Sequence, residues 1–529
     1  MSWMRHFLDF KKTALAGASG LLLTGAFPGW GLSWLAWIAL VPLLVCLRNL
    51  SPGQALRAGF FAGIVHYLTL VYWLAHTMNA YGNLPWVLSL AVLMLLAAYL
   101  AGYPAVFCLL LVRAGRRPIL SALMVPVLWT ALEYVRTLLF SGFPWELLGY
   151  TQFDRLHLIQ ISDIFGVYGL SFLVAMGNAA VFMLILRVGR KRWQGRPTPG
   201  ATAVLHGLVF CLALGAAWGY GAWRMEQIDR RVDNAKTVKI AVVQGNVDQA
   251  IKWDRAFQAE TTQKYVTLSL AARDRDPDLV VWPETATPFY FLVHPQLTKR
   301  VRQGIRRTGS DFLIGSPSFE RRADGVDYYN SAYLVHADGS VGGRYDKVHL
   351  VPFGEYVPLK KWLPFVGKMV EHVGDFKPGE KGSGLAWKDY RLGVQICYEM
   401  IFPQLSRAMV KNGADLLFNL TNDAWYGRTS APYQHFSMAV MRAVENRRSV
   451  IRAANTGISG FIGPAGRVAA ATAIYEDAVL VHHVPVVDTA SLYTRFGDVL
   501  ALACLALAGV AGGWQLAGYR RKRSEKPAT

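Results

Sequence analysis

Three residues of this chain have types and settings suited to acyl chemistry. Gly393-Val-Gln-Ile-Cys397-Tyr-Glu399 places a thiol at the end of a strand-like run, with Phe402-Pro403 opening a helix soon after. A nucleophile on such a tight strand-to-helix turn is exposed and lies close to backbone N–H donors. Asp278-Leu-Val-Val-Trp-Pro-Glu284 ends another buried strand at Pro283, so Glu284 projects from the strand's C-terminal edge. Arg344-Tyr-Asp-Lys347 precedes Val348-His-Leu-Val-Pro-Phe-Gly-Glu355. A cysteine nucleophile needs a base to take its proton and a cation to hold developing oxyanion charge. Glu284, Lys347 and Cys397 meet those needs if they converge in space, which sequence alone does not establish. Taken singly, a Glu or Lys at a strand end is usually a solvated terminus, and Asp346-Lys347 also reads as an ordinary turn.

The elements that must position these groups are α/β. Strand-like runs are Val238–Val243, Asp278–Trp282, Phe312–Gly315, Ser331–His336, Leu392–Ile396, Leu416–Leu420, Ser449–Ile462 and Val479–Val486. Helix-length stretches are Phe257–Asp274, Pro403–Lys411 and Gln434–Arg448. The strands are too apolar to face water on both sides. Cysteine usage singles out Cys397, because Cys46, Cys108, Cys211 and Cys504 all fall in apolar runs where a thiol behaves as a small hydrophobe. A lone cysteine in an oxidising compartment suggests a reactive thiol; a buried inert thiol is the plain alternative. His349, His435, His482 and His483 invite a Cys-His or metal reading, but no HExxH or CxxC spacing is present. No Walker or GxGxxG motif follows a strand, so no metal or cofactor is expected.

The rest of the chain belongs in lipid. Of 529 residues, 53% are hydrophobic and only 17% charged, which excludes disorder, a disulfide scaffold and a purely soluble enzyme. Apolar runs lie at about 13–28, 31–47, 58–76, 85–112, 119–139, 164–186, 203–222 and 497–518. Read as eight spans, they divide the chain into a seven-span bundle at 1–222, a soluble domain at 223–496, a closing span at 497–518 and a basic tail at 519–529. The net charge of +20 concentrates in alternate connections, at 1–12, 48–57, 113–118, 187–202 and the tail. This is positive-inside bias, so the charge reports topology and not a nucleic-acid partner. Both termini are cytoplasmic on this reading and 223–496 lies on the far side. A signal peptide at the first run would spoil the alternation.

The motifs VVWPE (280–284), Lys347 to Glu355 and QICYE (395–399) resemble, in this order, the Glu-Lys-Cys triad of the nitrilase superfamily. The KVHLVPFGEYVP run at 347–358, the NDAWYG run at 422–427 and the flanking spans resemble one branch, the apolipoprotein N-acyltransferase family, over essentially the whole chain. The resemblance implies a membrane helical bundle joined to a four-layer αββα sandwich. It implies Glu284 as general base, Cys397 as nucleophile and Lys347 as stabiliser of the tetrahedral intermediate, aided by a backbone N–H near Tyr398. Glu355 would orient Lys347 or the incoming amine, and Tyr398 and Glu399 would support the nucleophile. Trp253, Trp425, Trp145 and Trp362 are candidate substrate contacts. The implied reaction is a two-step acyl transfer in a bacterial inner membrane, from a phospholipid (typically phosphatidylethanolamine) to the α-amino group of an S-diacylglyceryl apolipoprotein. It needs no cofactor, and one chain contains all the parts, so a monomer is expected.

Residues 359–376 mix Trp362, Phe365 and Met369 with Lys360, Lys361 and Lys368 and read as a membrane-touching lid or as a packed loop. The 141–146 loop offers Trp145 as an interfacial anchor. Glu133 and Arg136 share a helical face inside a span, either as functional groups or as a neutralising pair. A membrane-tethered amidase would use the same triad but needs neither seven preceding spans nor a lid. A transporter with a sensor domain would need paired charges or broken half-helices along its spans.

Overall fold

Apolar helices and a two-sheet α/β region make up the computed structural model, which describes residues 8–114, 118–323, 325–357 and 376–524, with 514–524 as backbone only. The proposed lid, Trp362 included, lies outside the described residues apart from Phe376, as does the tail from 525 onward. Among the described residues, four helices are long and apolar enough to cross a membrane: Trp86–Arg113, Pro118–Leu138, Val167–Val188 and Gly200–Asp233. Counting the broken pair Pro52–Leu70 and Trp73–Ala80 as one span makes five.

Among the described residues, four or five of the eight expected spans are helices that are long and apolar enough by this test. The first run forms Phe10–Gly25, 16 residues, which at 1.5 Å per residue reaches about 24 Å, short of a hydrocarbon core about 30 Å thick. The 31–47 run is interrupted, a 3-10 turn at Ser33–Trp37 followed by the short helix Val41–Cys46 with Pro42 in its first turn. The last run lies on the 26-residue helix Val499–Ser524. A hairpin of two short strands, β1 (Arg192–Trp193) and β2 (Arg196–Pro197), joins two of the long helices.

Close packing of small residues organises the helices. Ser51 caps Pro52–Leu70 through a capping box with Gln54. A Cβ added at Gly59 would lie 2.3 Å from the carbonyl oxygen of Pro104, so glycine permits that backbone contact. Val204, Leu208 and Leu212 on Gly200–Asp233 are exposed, an arrangement suited to lipid and costly in water.

The α/β region contains β3 (Lys236–Gln244), β4 (Leu279–Val281), β5 (Asp311–Arg322), β6 (Gly325–Val335), β7 (Val341–Asp346), β8 (Leu385–Trp387), β9 (Tyr390–Ile396), β10 (Leu416–Thr421), β11 (Val450–Ala454), β12 (Gly460–Ile462), β13 (Val468–Ala471) and β14 (Ala478–Val486). They form two six-stranded mixed sheets, ordered β14-β3-β4-β5-β6-β7 and β13-β12-β11-β10-β9-β8. Pairing is parallel at β3/β4/β5 and at β9/β10/β11. These central strands are buried on both faces, β4 and β10 throughout, which is why they read as continuous apolar runs.

Helices Arg255–Leu270 and Pro295–Thr308 cover the first sheet through Tyr265, Val266, Val301 and Ile305 packed with Trp282 and Phe312. Pro403–Lys411 and Ala431–Asn446 pack on the second. Hydrogen bonds between the sheet regions include Asn246 N–H to the Asn455 carbonyl at 2.8 Å and Ser459 Oγ to Gln244 Oε1 at 2.6 Å. Every predicted strand and helix of this region is present, although Ser449–Ile462 splits into β11 and β12. The short β8 and β13, the glycine-rich β7 and helix Pro295–Thr308 were not foreseen. That helix is heavily charged, and its apolar signal is only Leu297, Val301 and Ile305 at four-residue spacing. Segment Trp73–Ser89, read as part of the bundle, joins Trp223–Gly497 in one compact unit, with the other helices forming a second.

Candidate active site

Glu284 follows β4 by way of Trp282, whose N–H donates to the Leu313 carbonyl at 2.9 Å, and Pro283, which ends the strand. The turn passes directly over β5: a Cβ on Gly315 would sit 2.3 Å from the Pro283 carbonyl oxygen and 2.7 Å from Glu284 Cα. Gly315→Ala is therefore expected to push the Glu284 backbone away. It should cost about 1–3 kcal/mol in urea unfolding and lower turnover in the same variant; unchanged values for both would show that the turn yields freely.

The Glu284 carboxylate, 7% exposed, accepts from Asn330 Nδ2 at 2.8 Å and from the Asn422 N–H at 3.0 Å. Lys347 directly follows β7, its N–H held by the Asn330 carbonyl at 2.8 Å. Its Nζ lies 2.9 Å from Glu355 Oε1 and 3.7 Å from Glu284 Oε1. Asn330 Nδ2 also donates to Glu355 Oε1 at 2.9 Å, and the Val351 N–H donates to Glu355 Oε2 at 2.8 Å. Burial works against the Lys347 charge, but Glu355 and then Glu284 outweigh it and hold the ammonium above its ordinary pKa.

Cys397 follows β9 and opens a 3-10 turn, Cys397–Ile401, with φ +53°. An L-residue rarely occupies that left-handed region, and such residues concentrate at functional sites. The expected exposed nucleophile is in fact only 6% exposed. Burial pushes the thiol up to about 12, the Glu284 charge adds to this and Lys347 opposes it. At neutral pH the sulfur therefore keeps its proton until a base removes it.

Glu399 is a brace. Its carboxylate accepts from the N–H groups of Ile396 (2.7 Å), Val348 (2.7 Å) and His349 (3.0 Å), and from the Tyr345 hydroxyl. It thereby ties the end of β9 to the Lys347 segment. Burial lifts its pKa to about 7, with the backbone donors acting in the opposite direction. Tyr398 is buried edge-on to Phe402, ring centroids 5.2 Å apart.

Several groups at the site were missed. Asn330 and Asn422 orient Glu284; Asn330 has no local sequence signal that distinguishes it, whereas Asn422 opens the NDAWYG run at 422–427. Fully buried Lys252 donates to the Glu284 carbonyl oxygen at 3.1 Å. His435, flagged earlier only as one of several stray histidines, lies against the Cys397 backbone. Its Nε2 donates to the Cys397 carbonyl at 3.2 Å and its Nδ1 is 3.0 Å from Asp423 Oδ1. Arg452 Nη2 reaches Asp423 Oδ2 at 2.7 Å, and Asn419 Nδ2 also donates to the Cys397 carbonyl at 3.3 Å. Burial opposes the Asp423 charge, but Arg452 and His435 prevail and bring its pKa down to about 2. His482 and His483 lie on β14, paired with Ile240 and Lys239.

Residues 19–180 match the apolipoprotein N-acyltransferase N-terminal domain and residues 239–493 match carbon-nitrogen hydrolase. Over 509 residues, 96% of this chain and 95% of the relative, the sequence is 45% identical to an apolipoprotein N-acyltransferase of Geobacter metallireducens. The chain belongs to the apolipoprotein N-acyltransferase family. A second member, from Methylococcus capsulatus, is 34% identical over 94% of this chain and 95% of its own length. Among solved structures, an amidase from Nesterenkonia sp. AN1 is 22% identical over 50% of this chain and 94% of that one, with a TM-score of 0.37. Membership of the apolipoprotein N-acyltransferase family agrees with the motif reading and makes the chain an enzyme with a nitrilase-superfamily catalytic domain.

The tryptophans proposed for this apolipoprotein N-acyltransferase family member as substrate contacts fare differently. Trp253 is half-buried beside Lys252. Trp425 is half-buried, edge-on to Tyr81 with centroids 5.3 Å apart. Its carbonyl accepts from Thr77 Oγ1 at 2.8 Å, and the Ala424 carbonyl accepts from the Tyr81 hydroxyl at 3.1 Å. Trp145 needs correction as an interfacial anchor: it is fully buried and stacked near Phe143, while Phe140 is the exposed ring of that connection. Glu133 and Arg136 serve that connection too. Glu133 Oε1 accepts from the Leu148 N–H at 2.7 Å, and Arg136 donates to the Tyr67 hydroxyl at 2.7 Å and the Glu146 carbonyl at 3.4 Å.

Proposed function

We propose that the chain carries an acyl group from a membrane phospholipid, through a thioester on Cys397, to the α-amino group of an N-terminal S-diacylglyceryl-cysteine of a lipoprotein. The observation carrying this reading is a lysine shared by two carboxylates and acting on a buried thiol, in a chain with several membrane-length helices. Glu284 takes the thiol proton as Cys397 attacks the donor ester, and Lys347 opposes the charge of the tetrahedral intermediate. Glu284 returns that proton to the leaving lysophospholipid oxygen. Glu355 orients Lys347, Glu399 braces the turn, and the half-buried Trp253 and Trp425 contact substrate. Burial of Glu284 and Cys397 favours a thioester kept from water.

The donor is phosphatidylethanolamine, cleaved at sn-1, and the enzyme acts as a monomer. It resides in a bacterial inner membrane, with the αββα sandwich at 223–496 periplasmic and both termini cytoplasmic. The shorter apolar helices complete eight crossings. A tethered amidase would share the triad, but membrane-length helices do nothing for a small soluble amide.

Intact-protein mass spectrometry of detergent-purified protein given phospholipid and no acceptor tests the reading. A hydroxylamine-labile acyl adduct is expected, absent in Cys397→Ser and discharged by a diacylated lipopeptide. No adduct, together with ammonia release from small amides, would identify an amidase; discharge by water as fast as by lipopeptide would identify a hydrolase.

A further inference from the structure

The second half-reaction has a proton to spare. Acylation moves one proton, from Cys397 to the departing alkoxide. The α-amino acceptor enters as an ammonium, and amide formation removes two protons from its nitrogen. One of them ends on the Cys397 sulfur when the C–S bond breaks, and the other must leave. Glu284 can carry the first back to sulfur, and a second base close to it would take the other.

Lys252 is buried against the Glu284 turn. It follows β3 on a segment pinned at the site by Asn422 Nδ2 to Gln249 Oε1 (2.6 Å) and by the Val247 N–H to Asn455 Oδ1 (2.9 Å). Its side chain is fully buried. Among the described residues Nζ makes one hydrogen bond, to the Glu284 carbonyl at 3.1 Å, and no carboxylate oxygen lies within 4.0 Å. Lys347, by contrast, is engaged by two carboxylates. A buried ammonium with one neutral acceptor is weakly held, and the amine left when it loses a proton has a free lone pair.

We propose that Lys252 is the base that takes the surplus proton from the ammonium acceptor and passes it to solvent, while Glu284 serves both half-reactions. The inference rests on the thioester reading. The acceptor nitrogen attacks the thioester carbon, the C–S bond breaks, one N–H proton goes through Glu284 to sulfur and the other goes to Lys252 Nζ. Burial brings Lys252 down to about 8, with Glu284 and Cys397 pulling it back up. That is close to an ordinary α-amino group, about 7.7–8.0, so the transfer is nearly balanced.

Acyl-enzyme is prepared with phospholipid in wild type, Lys252→Met and Lys252→Arg, and its discharge at pH 8 is followed in single turnovers with a diacylated lipopeptide and with hydroxylamine. Hydroxylamine is already neutral at that pH and carries no surplus proton. Both variants are expected to lose at least tenfold more rate with lipopeptide than with hydroxylamine, arginine included because a guanidinium stays protonated. Equal losses with the two nucleophiles, or none with either, would overturn the assignment and leave Lys252 as a support for the Glu284 turn. Lys252→Arg carries the test if the methionine variant does not fold. A wild-type protein that forms no adduct would sink the thioester reading instead, a separate result.

Discussion

Glu284→Gln is expected to slow acyl-enzyme formation by roughly 10²–10⁴-fold, the usual contribution of a positioned general base, while making Cys397 easier to ionise. The two effects run in opposite directions for a physical reason. The Glu284 charge helps to hold the thiol near 12, so its removal brings that value down, and alkylation by a small neutral reagent should follow pH along a curve displaced to lower pH. If Glu284 were only an electrostatic neighbour, acylation would quicken along with the thiolate. Slower acylation with a more acidic thiol isolates the proton-transfer role, and a parallel rise in both rates would refute it. The amide substitution also leaves either the Asn330 Nδ2 or the Asn422 N–H donor facing another donor, at about 1–3 kcal/mol in stability.

Lys347→Met is expected to damage both rate and fold. Its Nζ lies between Glu355 and Glu284, and removing one partner of a buried ion pair costs about 3–5 kcal/mol. Loss of the cation beside the oxyanion should take a further 10²–10³-fold from acylation, and the thiol moves further above its ordinary value because Lys347 no longer opposes burial. Without the ammonium, Glu284 and Glu355 are left as neighbouring like charges on Asn330. Urea unfolding should show the loss of stability, and a midpoint equal to that of wild type would mean that the two carboxylates do not need the cation.

Local order was legible in the residues because burial leaves a pattern along the chain. β4 and β10 read as strands since parallel pairing buries both of their faces, and Pro283 and Pro403 marked where strand gave way to turn and helix. The proposed catalytic trio rests on a different signal, since Glu284, Lys347 and Cys397 each sit in a long motif shared with a known family. Helix Pro295–Thr308 escaped because arginines and lysines obscure its narrow apolar stripe.

Convergence was decided only by the tertiary structure. Lys347 leaves the edge strand β7 and Glu284 follows the interior strand β4, and no periodicity encodes the approach of their side chains. The same holds for Asn330, which bridges Glu284 and Glu355 from β6, and for His435, which fixes the Cys397 carbonyl from a helix. Lys252 looked like any charged loop residue, and its burial depends on segments far away in sequence. Trp145 erred in the opposite sense: an aromatic next to a span suggests an interface, but the ring is fully buried. Composition and motif determined which chemistry this chain can perform and that it does so with membrane helices attached. Which polar groups lose their water, and which partners replace it, depends on long-range packing, and that packing sets the protonation states on which the chemistry runs.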